Sequence, residues 1–264
     1  MFYRERFNTC VEKIRQTFGT SPLPEVTFAT TCWERDWRQI LLDPEYLRVR
    51  QIGNHGFPFA EKLLIINNVD DLSAVKRAAQ KKIDEGIITR FVVADEIAEK
   101  MFSYFRLHRS HFQPSLESGV GADWLYYNAL GPLAAVYSAK NPYLLYTTGD
   151  VWLEEPVSWI AKALLKMEKK EMYKVANLTW NKKYAEAKKE AYTREKNFYI
   201  SRIGFSDQMF LVKKSDFCAP IYGEIREDTH HVPRGDVFEK RVLSYMKNHG
   251  WERMTYRHGF YTHA

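Results

Sequence analysis

The strongest constraint in the chain is an alternation. Short β-branched or aromatic runs, each ending abruptly in small polar residues, are separated by stretches of helical periodicity. The runs 26–32, 63–66, 87–94 and 143–147 read as buried strands. Between them, 73–85 carries Val75, Ala78, Ala79 and Ile83 on one side, with Ser73 as its cap and Gly86 as its stop. Further helices are predicted over 95–107 and 123–139, and from Pro156, where Val157, Ile160, Ala161, Leu164 and Leu165 form one stripe. A leading helix is expected over 1–20, with Phe2, Phe7, Val11, Ile14 and Phe18 roughly on one face. This order predicts one α/β domain of the doubly wound kind, with a central, mostly parallel mixed sheet flanked by helices. Two later strands, 174–180 and 209–213, are expected at a mixed edge.

Composition narrows the class. The 264 residues suit one large domain, and 45% hydrophobic content supplies a core. No apolar run approaches the ~20 residues of a membrane span, and the charged start, Met1-Phe2-Tyr3-Arg4-Glu5, lacks a signal peptide's apolar centre. Cys10, Cys32 and Cys218 are odd in number, widely spaced and without CxxC. They point to a reducing compartment, with neither a disulfide framework nor a structural zinc site. A cytoplasmic location is the expectation.

The net charge of +6 suggests anionic partners until its distribution is read. Residues 162–196 hold 11 Lys/Arg against 5 Asp/Glu, and the rest of the chain balances. The segment reads as helix, either a solvated face laced with i, i+4 pairs or a peripheral contact with anionic lipid at the inner membrane face. No zinc-finger, KH or RNP signature accompanies it, so nucleic acid is not an expected partner.

In open α/β sheets, ligands sit beyond the carboxyl ends of the strands. Here those ends carry Thr30-Thr31-Cys32-Trp33, Asn67-Asn68-Val69-Asp70-Asp71, Ala94-Asp95-Glu96 and Thr148-Gly149-Asp150. GxGxxG, GxxxxGK[ST] and GxSxG are all absent, which removes the fingerprints of a dinucleotide fold, a P-loop and an α/β-hydrolase.

Residues 127–151 resemble the central unit of GT-A-fold, nucleotide-sugar-dependent glycosyltransferases (family 2-like), in which an Asn-bearing helix feeds a buried strand ending in DxD. Thr148-Gly149-Asp150 stands there as a degenerate DxD that keeps only the last acid. Phe205-Ser206-Asp207-Gln208 is similar to the family's acceptor-side segment, and Gly235-Asp236-Val237-Phe238-Glu239 to its acidic helix start. The resemblance implies a nucleotide-sugar half, 1–150, and an acceptor half, 151–264. It implies nucleotide contacts from Thr30, Thr31, Cys32, Trp33, Asn67 and Asp70, and donor contacts from Asn128, Thr148, Gly149 and Asp150. It further implies a divalent metal, Mn²⁺ or Mg²⁺, on Asp150 and His263, and a catalytic carboxylate from Asp236 as first candidate and Glu239 as second. The donor would be a UDP-sugar and the acceptor a saccharide or a lipid-linked molecule, in cell-surface polysaccharide or glycoconjugate synthesis.

Such chemistry suits these residue types. A departing diphosphate needs positive charge, a hard cation prefers oxygen ligands, and a displacement needs a carboxylate to take the acceptor's proton. With Thr148 in place of the first acid, Arg202 or Arg234 would offer substitute charge. Plainer readings stand beside these: Asp150 as a turn aspartate, Asp236 and Glu239 as an ordinary acidic first helical turn, and His263 as a frayed terminal residue. Trp33 or Trp152 is expected to line the pocket, with most of the remaining tryptophans in the core. His108/His111 and His230/His231 read as surface polar sequence rather than metal sites. A nucleotidyltransferase would need a basic, Gly-rich loop after the first strand, which Thr30-Thr31-Cys32-Trp33-Glu34 does not supply. A weak or inactive sugar- or nucleotide-binding module of the same fold is the remaining alternative.

Overall fold

Strand alternation sends neighbouring side chains to opposite sheet faces, and both faces must then be covered. In β1 (Val26–Cys32), every residue is buried. Phe28 and Cys32 join one hydrophobic layer while Ala29 joins the other, and in β2 (Glu61–Ile66) Leu64 and Ile66 oppose Leu63 and Ile65 in the same way. The structure, a computed structural model, describes residues 23–112, 122–229 and 237–264. The expected helix over 1–20, Arg234, Asp236 and the His230/His231 pair lie outside the described residues.

With β3 (Arg90–Val93), β4 (Tyr143–Thr147), β5 (Val151–Trp152), β6 (Tyr173–Trp180), β7 (Thr193–Glu195), β8 (Phe198–Ser201), β9 (Met209–Lys213) and β10 (Glu252–His263), one sheet forms in the order β3-β2-β1-β4-β9-β6-β10-β8-β7. β3, β2, β1 and β4 pair in parallel, β9 runs against both β4 and β6, and β10 is parallel to β6. The short β5 pairs with the end of β10. The fold is therefore the expected mixed α/β sheet flanked by helices. The strands expected at an edge, 174–180 and 209–213, instead lie in its middle as β6 and β9, because β9 inserts between β4 and β6.

Helix α1 (Trp37–Leu42), α2 (Leu72–Asp84) and α5 (Ile160–Lys169) contribute to one layer. Helix α3 (Ala94–Phe105), α4 (Ala122–Ser138), α7 (Lys214–Cys218) and α8 (Phe238–Asn248) contribute to the other. The cap of α2 is Asp71, whose Oδ1 accepts from Ala74 N at 2.8 Å, not Ser73. Two residues past the end of α2, Gly86 takes φ +68°, as expected for its stop. The helix expected from Pro156 begins at Ile160.

The basic segment is not one helical face. Residues 162–196 run through α5, β6, α6 (Tyr184–Glu190) and β7. Lys166 and Lys170 meet Glu195, while Lys174 pairs with Asp216, Lys182 with Glu154 and Lys183 with Glu186. The lysines therefore lie on two helices, one strand and the turns between them, not along a single helical stripe. Among the described residues, no helix is long and apolar enough to cross a membrane.

Candidate functional site

Thr148-Gly149-Asp150 links β4 to β5, and its backbone is held from behind by a distant segment. Tyr46–Ile52 forms a π-helical turn, a form that often marks functional positions. From it, Tyr46 Oη donates to Gly149 O at 2.9 Å. Gln51, 1% exposed, donates its Nε2 to Gly149 O at 2.9 Å, Val151 O at 3.0 Å and Thr148 O at 3.3 Å. Glycine is required in this turn for space. A Cβ at Gly149 would come within 2.5 Å of the Thr31 carbonyl oxygen, 2.6 Å of Ile40 Cδ1 and 2.7 Å of Asp36 Oδ2.

Held this way, Asp150 meets the last residues of β10. His263 Nε2 lies 3.2 Å from Asp150 Oδ2. His263 is not frayed: it pairs with Val151 across β5, its N–H donates to Asn181 Oδ1 at 2.9 Å, and its carbonyl accepts from Asn181 Nδ2 at 3.2 Å. Asp150 beside it raises the imidazole's pKa, outweighing burial. Burial would raise Asp150, but the contact with His263 holds the carboxyl below its ordinary value. The other oxygen, Asp150 Oδ1, is buried without a hydrogen-bond partner. Four more such atoms, Thr30 Oγ1, Asn67 Oδ1, Thr147 Oγ1 and Thr148 Oγ1, belong to the carboxyl ends of β1, β2 and β4. Unsatisfied buried polar atoms are few in folded proteins; of these residues Thr148 and Asp150 line a common cleft, whereas Thr30, Asn67 and Thr147 do not.

The pair opens into a cleft of about 870 Å³ between the two halves of the sheet. Thr31, Trp33, Asn128, Thr148, Gly149 and Asp150 line its β1/β4 side, and His263 and Glu239 also line it. Thr30, Cys32, Asn67 and Asp70 do not. Thr30 and Cys32 are wholly buried, and Cys32, one residue past cleft-facing Thr31, points into the opposite hydrophobic layer. Burial drives its thiol pKa well up. Asn67 is buried beneath the cleft, its Nδ2 donating to Tyr127 O at 2.8 Å, and Asp70 is exposed. Of the tryptophans, Trp33, Trp124 and Trp180 line the cleft; Trp152 does not, and packs against Tyr46. Arg202 is paired with Glu252 at 2.9 Å and is not in the lining.

Several lining residues escaped the sequence reading. Asp36, in the loop after β1, accepts from Trp33 N at 2.6 Å. Burial raises its pKa to about 7 against that hydrogen bond, and the nearby Asp150 charge adds to the rise. The signal was an acid close behind the first strand, four positions past Cys32. On the far wall, Asn177, Glu190, Arg253 and Thr255 line the cleft. For Arg253 and Thr255 the signal was weaker, because β10 reads Glu-Arg-Met-Thr-Tyr-Arg-His-Gly, a polar sequence without an obvious strand.

Among the described residues, no three His, Cys, Asp or Glu side chains gather closely enough to cage an ion. The pair present still suits one. A carboxylate with a buried unpartnered oxygen and an adjacent imidazole are acceptable donors to Mn²⁺, provided a bound diphosphate supplies further oxygens.

No protein-family model matches the sequence, and no curated protein matches it. Solved structures do resemble the fold. GalNAc-T7, crystallised with UDP, GalNAc and Mn²⁺, superposes with a TM-score of 0.52 at 10% identity, over 92% of this chain and 44% of that one. This chain thus spans less than half the length of GalNAc-T7. The galactosyltransferase LgtC, in complex with donor and acceptor sugar analogs, gives 0.38 at 9% identity over 73% of this chain and 59% of that one. Mouse xyloside xylosyltransferase 1, apo form, gives 0.39 at 13% identity over 86% and 82%. The likeness to GalNAc-T7 establishes a GT-A type of α/β fold.

Proposed function

We propose that the protein is a glycosyltransferase that moves a sugar from a nucleotide-activated donor, a UDP-sugar, to an acceptor hydroxyl. The observation that carries this reading is the Asp150–His263 pair, 3.2 Å apart in the lining of the cleft, with Asp150 Oδ1 buried and unpartnered. The GT-A type of fold and the Mn²⁺ and UDP bound to GalNAc-T7 support it.

In this reading Thr31, Trp33 and Asn128 border the nucleotide and sugar, while Thr148, Gly149 and Asp150 border the diphosphate. Asp150 and His263 would hold a divalent cation. Such an ion, when bound, supplies positive charge to the departing diphosphate. The chain's own residues then orient the reaction. The Gly149 carbonyl, fixed by Tyr46 and Gln51, sets the direction of Asp150. Asp236, the first candidate base by sequence, lies outside the described residues, whereas Glu239, the second, stands in the first turn of α8 and lines the cleft, so Glu239 is taken as the base. The carboxylate takes the acceptor's proton while the acceptor oxygen forms a bond to the sugar's anomeric carbon. The bond from that carbon to the diphosphate oxygen breaks, and its electron pair leaves with UDP. Direct displacement of this kind inverts the anomeric configuration.

Incubation with a panel of UDP-sugars and Mn²⁺ for several hours tests the reading. UDP release that falls at least about a hundredfold in Glu239→Gln is expected for loss of general-base catalysis. No release from any donor at saturating Mn²⁺ would instead identify a binding module.

A further inference from the structure

Below the acceptor side of the cleft, the sheet carries polar side chains where its neighbours are apolar. Asn177 and Thr255 face one another in the β6–β10 register, with Thr255 Oγ1 donating to Asn177 Oδ1 at 2.8 Å. Two residues before Thr255, and so on the same face, stands Arg253. These three are 5%, 4% and 7% exposed, yet each lines the cleft. Burying a guanidinium costs several kcal/mol unless it is paired, and the pairing of Arg253 leaves part of its fork unused.

Arg253 is also held in one orientation. Its Nη2 meets Glu190 Oε2 of α6 at 2.5 Å. Gly204, at φ +77°, passes so close that a Cβ there would lie 2.6 Å from Arg253 Nη1. Only glycine combines that backbone conformation with that approach. Arg253 Nε remains buried without a partner. A fixed fork with an unused donor, beside a carboxylate that accepts, is suited to reading adjacent hydroxyls.

The charge around it selects among hydroxyl-bearing molecules. On this side the described lining residues include the acids Glu186, Glu190, Asp207 and Glu239, against the cations Lys183 and Arg253. Lys183 is already engaged, 3.6 Å from Glu186 and 3.7 Å from the centre of the Trp180 ring. A carboxylate or phosphate on the acceptor would meet net negative charge, which disfavours it.

We propose that Arg253, oriented by Glu190 and Gly204, reads the acceptor, and that the acceptor is an uncharged, hydroxyl-rich saccharide rather than an anionic or phosphate-linked one. The proposal rests on the glycosyltransferase reading for its location and on the far wall for its chemistry. Saturation-transfer NMR on the full chain tests it, with lactose, cellobiose and maltose as probes and their uronic-acid counterparts as competitors. UDP and Mn²⁺ binding is followed in the same sample.

At least one neutral disaccharide should bind at least about tenfold more tightly than its uronate. Arg253→Lys should weaken that binding about tenfold or more without changing UDP affinity. Glu190→Gln should narrow the neutral-to-uronate preference. Uronates that bind as well as neutral probes, a full set of probes that fails to bind, or an Arg253→Lys variant with unchanged sugar affinity would overturn it. The titration is repeated without nucleotide. Absent UDP binding then counts against the donor reading, while the sugar result still judges Arg253.

Discussion

The hold of Gln51 on the 148–150 turn can be broken by one substitution. Gln51→Leu keeps the volume and removes the Nε2 bonds to Gly149 O at 2.9 Å, Val151 O at 3.0 Å and Thr148 O at 3.3 Å. The two shorter bonds contribute about 1 kcal/mol each, and a stranded buried carbonyl adds about 1–3 kcal/mol. Tyr46 still serves Gly149 O, and the variant also removes Gln51 Oε1, itself buried without a partner. The net cost comes to about 2–3 kcal/mol, or roughly 5–10 °C in Tm for a chain of this size. Stability alone does not identify a positioning role, so the control is Met246→Ala. That site in α8 is fully buried, and the truncation costs a similar ~2–5 kcal/mol far along the chain from the turn. Calorimetric titration with UDP and Mn²⁺ should give Gln51→Leu about tenfold weaker binding than this control, because small displacements of a binding group are costly. Equal affinities in the two variants, or a Gln51→Leu melt matching wild type, would refute the positioning argument.

Two further perturbations follow from the same geometry and charge. Gly149→Ala puts a Cβ 2.5 Å from a backbone oxygen, so the turn must shift; a loss of about 1–3 kcal/mol in urea unfolding is expected, together with weaker UDP binding. Glu195 is pushed upward by burial but held at about 2 by Lys166, Lys170 and Tyr173, so its folded pKa lies below the unfolded ~4.3. Its stabilising contribution is therefore complete above that unfolded value and fades as pH falls toward 2. Thermal melts should show Glu195→Gln less stable than wild type at pH 6 and converging with it near pH 2; a constant gap would contradict the assignment.

Much of the sheet around the 148–150 turn was legible in sequence because its signals are local. Strands 26–32, 143–147 and 209–213 emerge at their observed limits, since each is a buried run bounded by turn-forming or charged residues. Gly149 and Asp150 follow such a run directly, and both line the cleft. Cys32 shows how a correct strand can still mislead, because period-two alternation sends it to the core while Thr31 reaches the cleft. What remained hidden depends on distant pairings. The place of β9 between β4 and β6, and of β10 beside β6, is set by contacts between residues far apart in sequence. Arg253 becomes a cleft residue only through that arrangement. Gln51 belongs to a stretch with no recognisable motif, and its role appears only when 46–52 docks beneath a turn nearly a hundred residues away.

In the proposed reaction the cleft binds a nucleoside diphosphate through Asp150 and His263. Isothermal calorimetry with UDP, in the presence and absence of Mn²⁺, tests it most directly on wild type, Asp150→Asn and His263→Ala. Binding to wild type should strengthen with Mn²⁺, and both variants should lose the Mn²⁺ enhancement while their melts remain cooperative. Absence of UDP binding to wild type with or without Mn²⁺, or a Mn²⁺ enhancement undiminished in both variants, would contradict it.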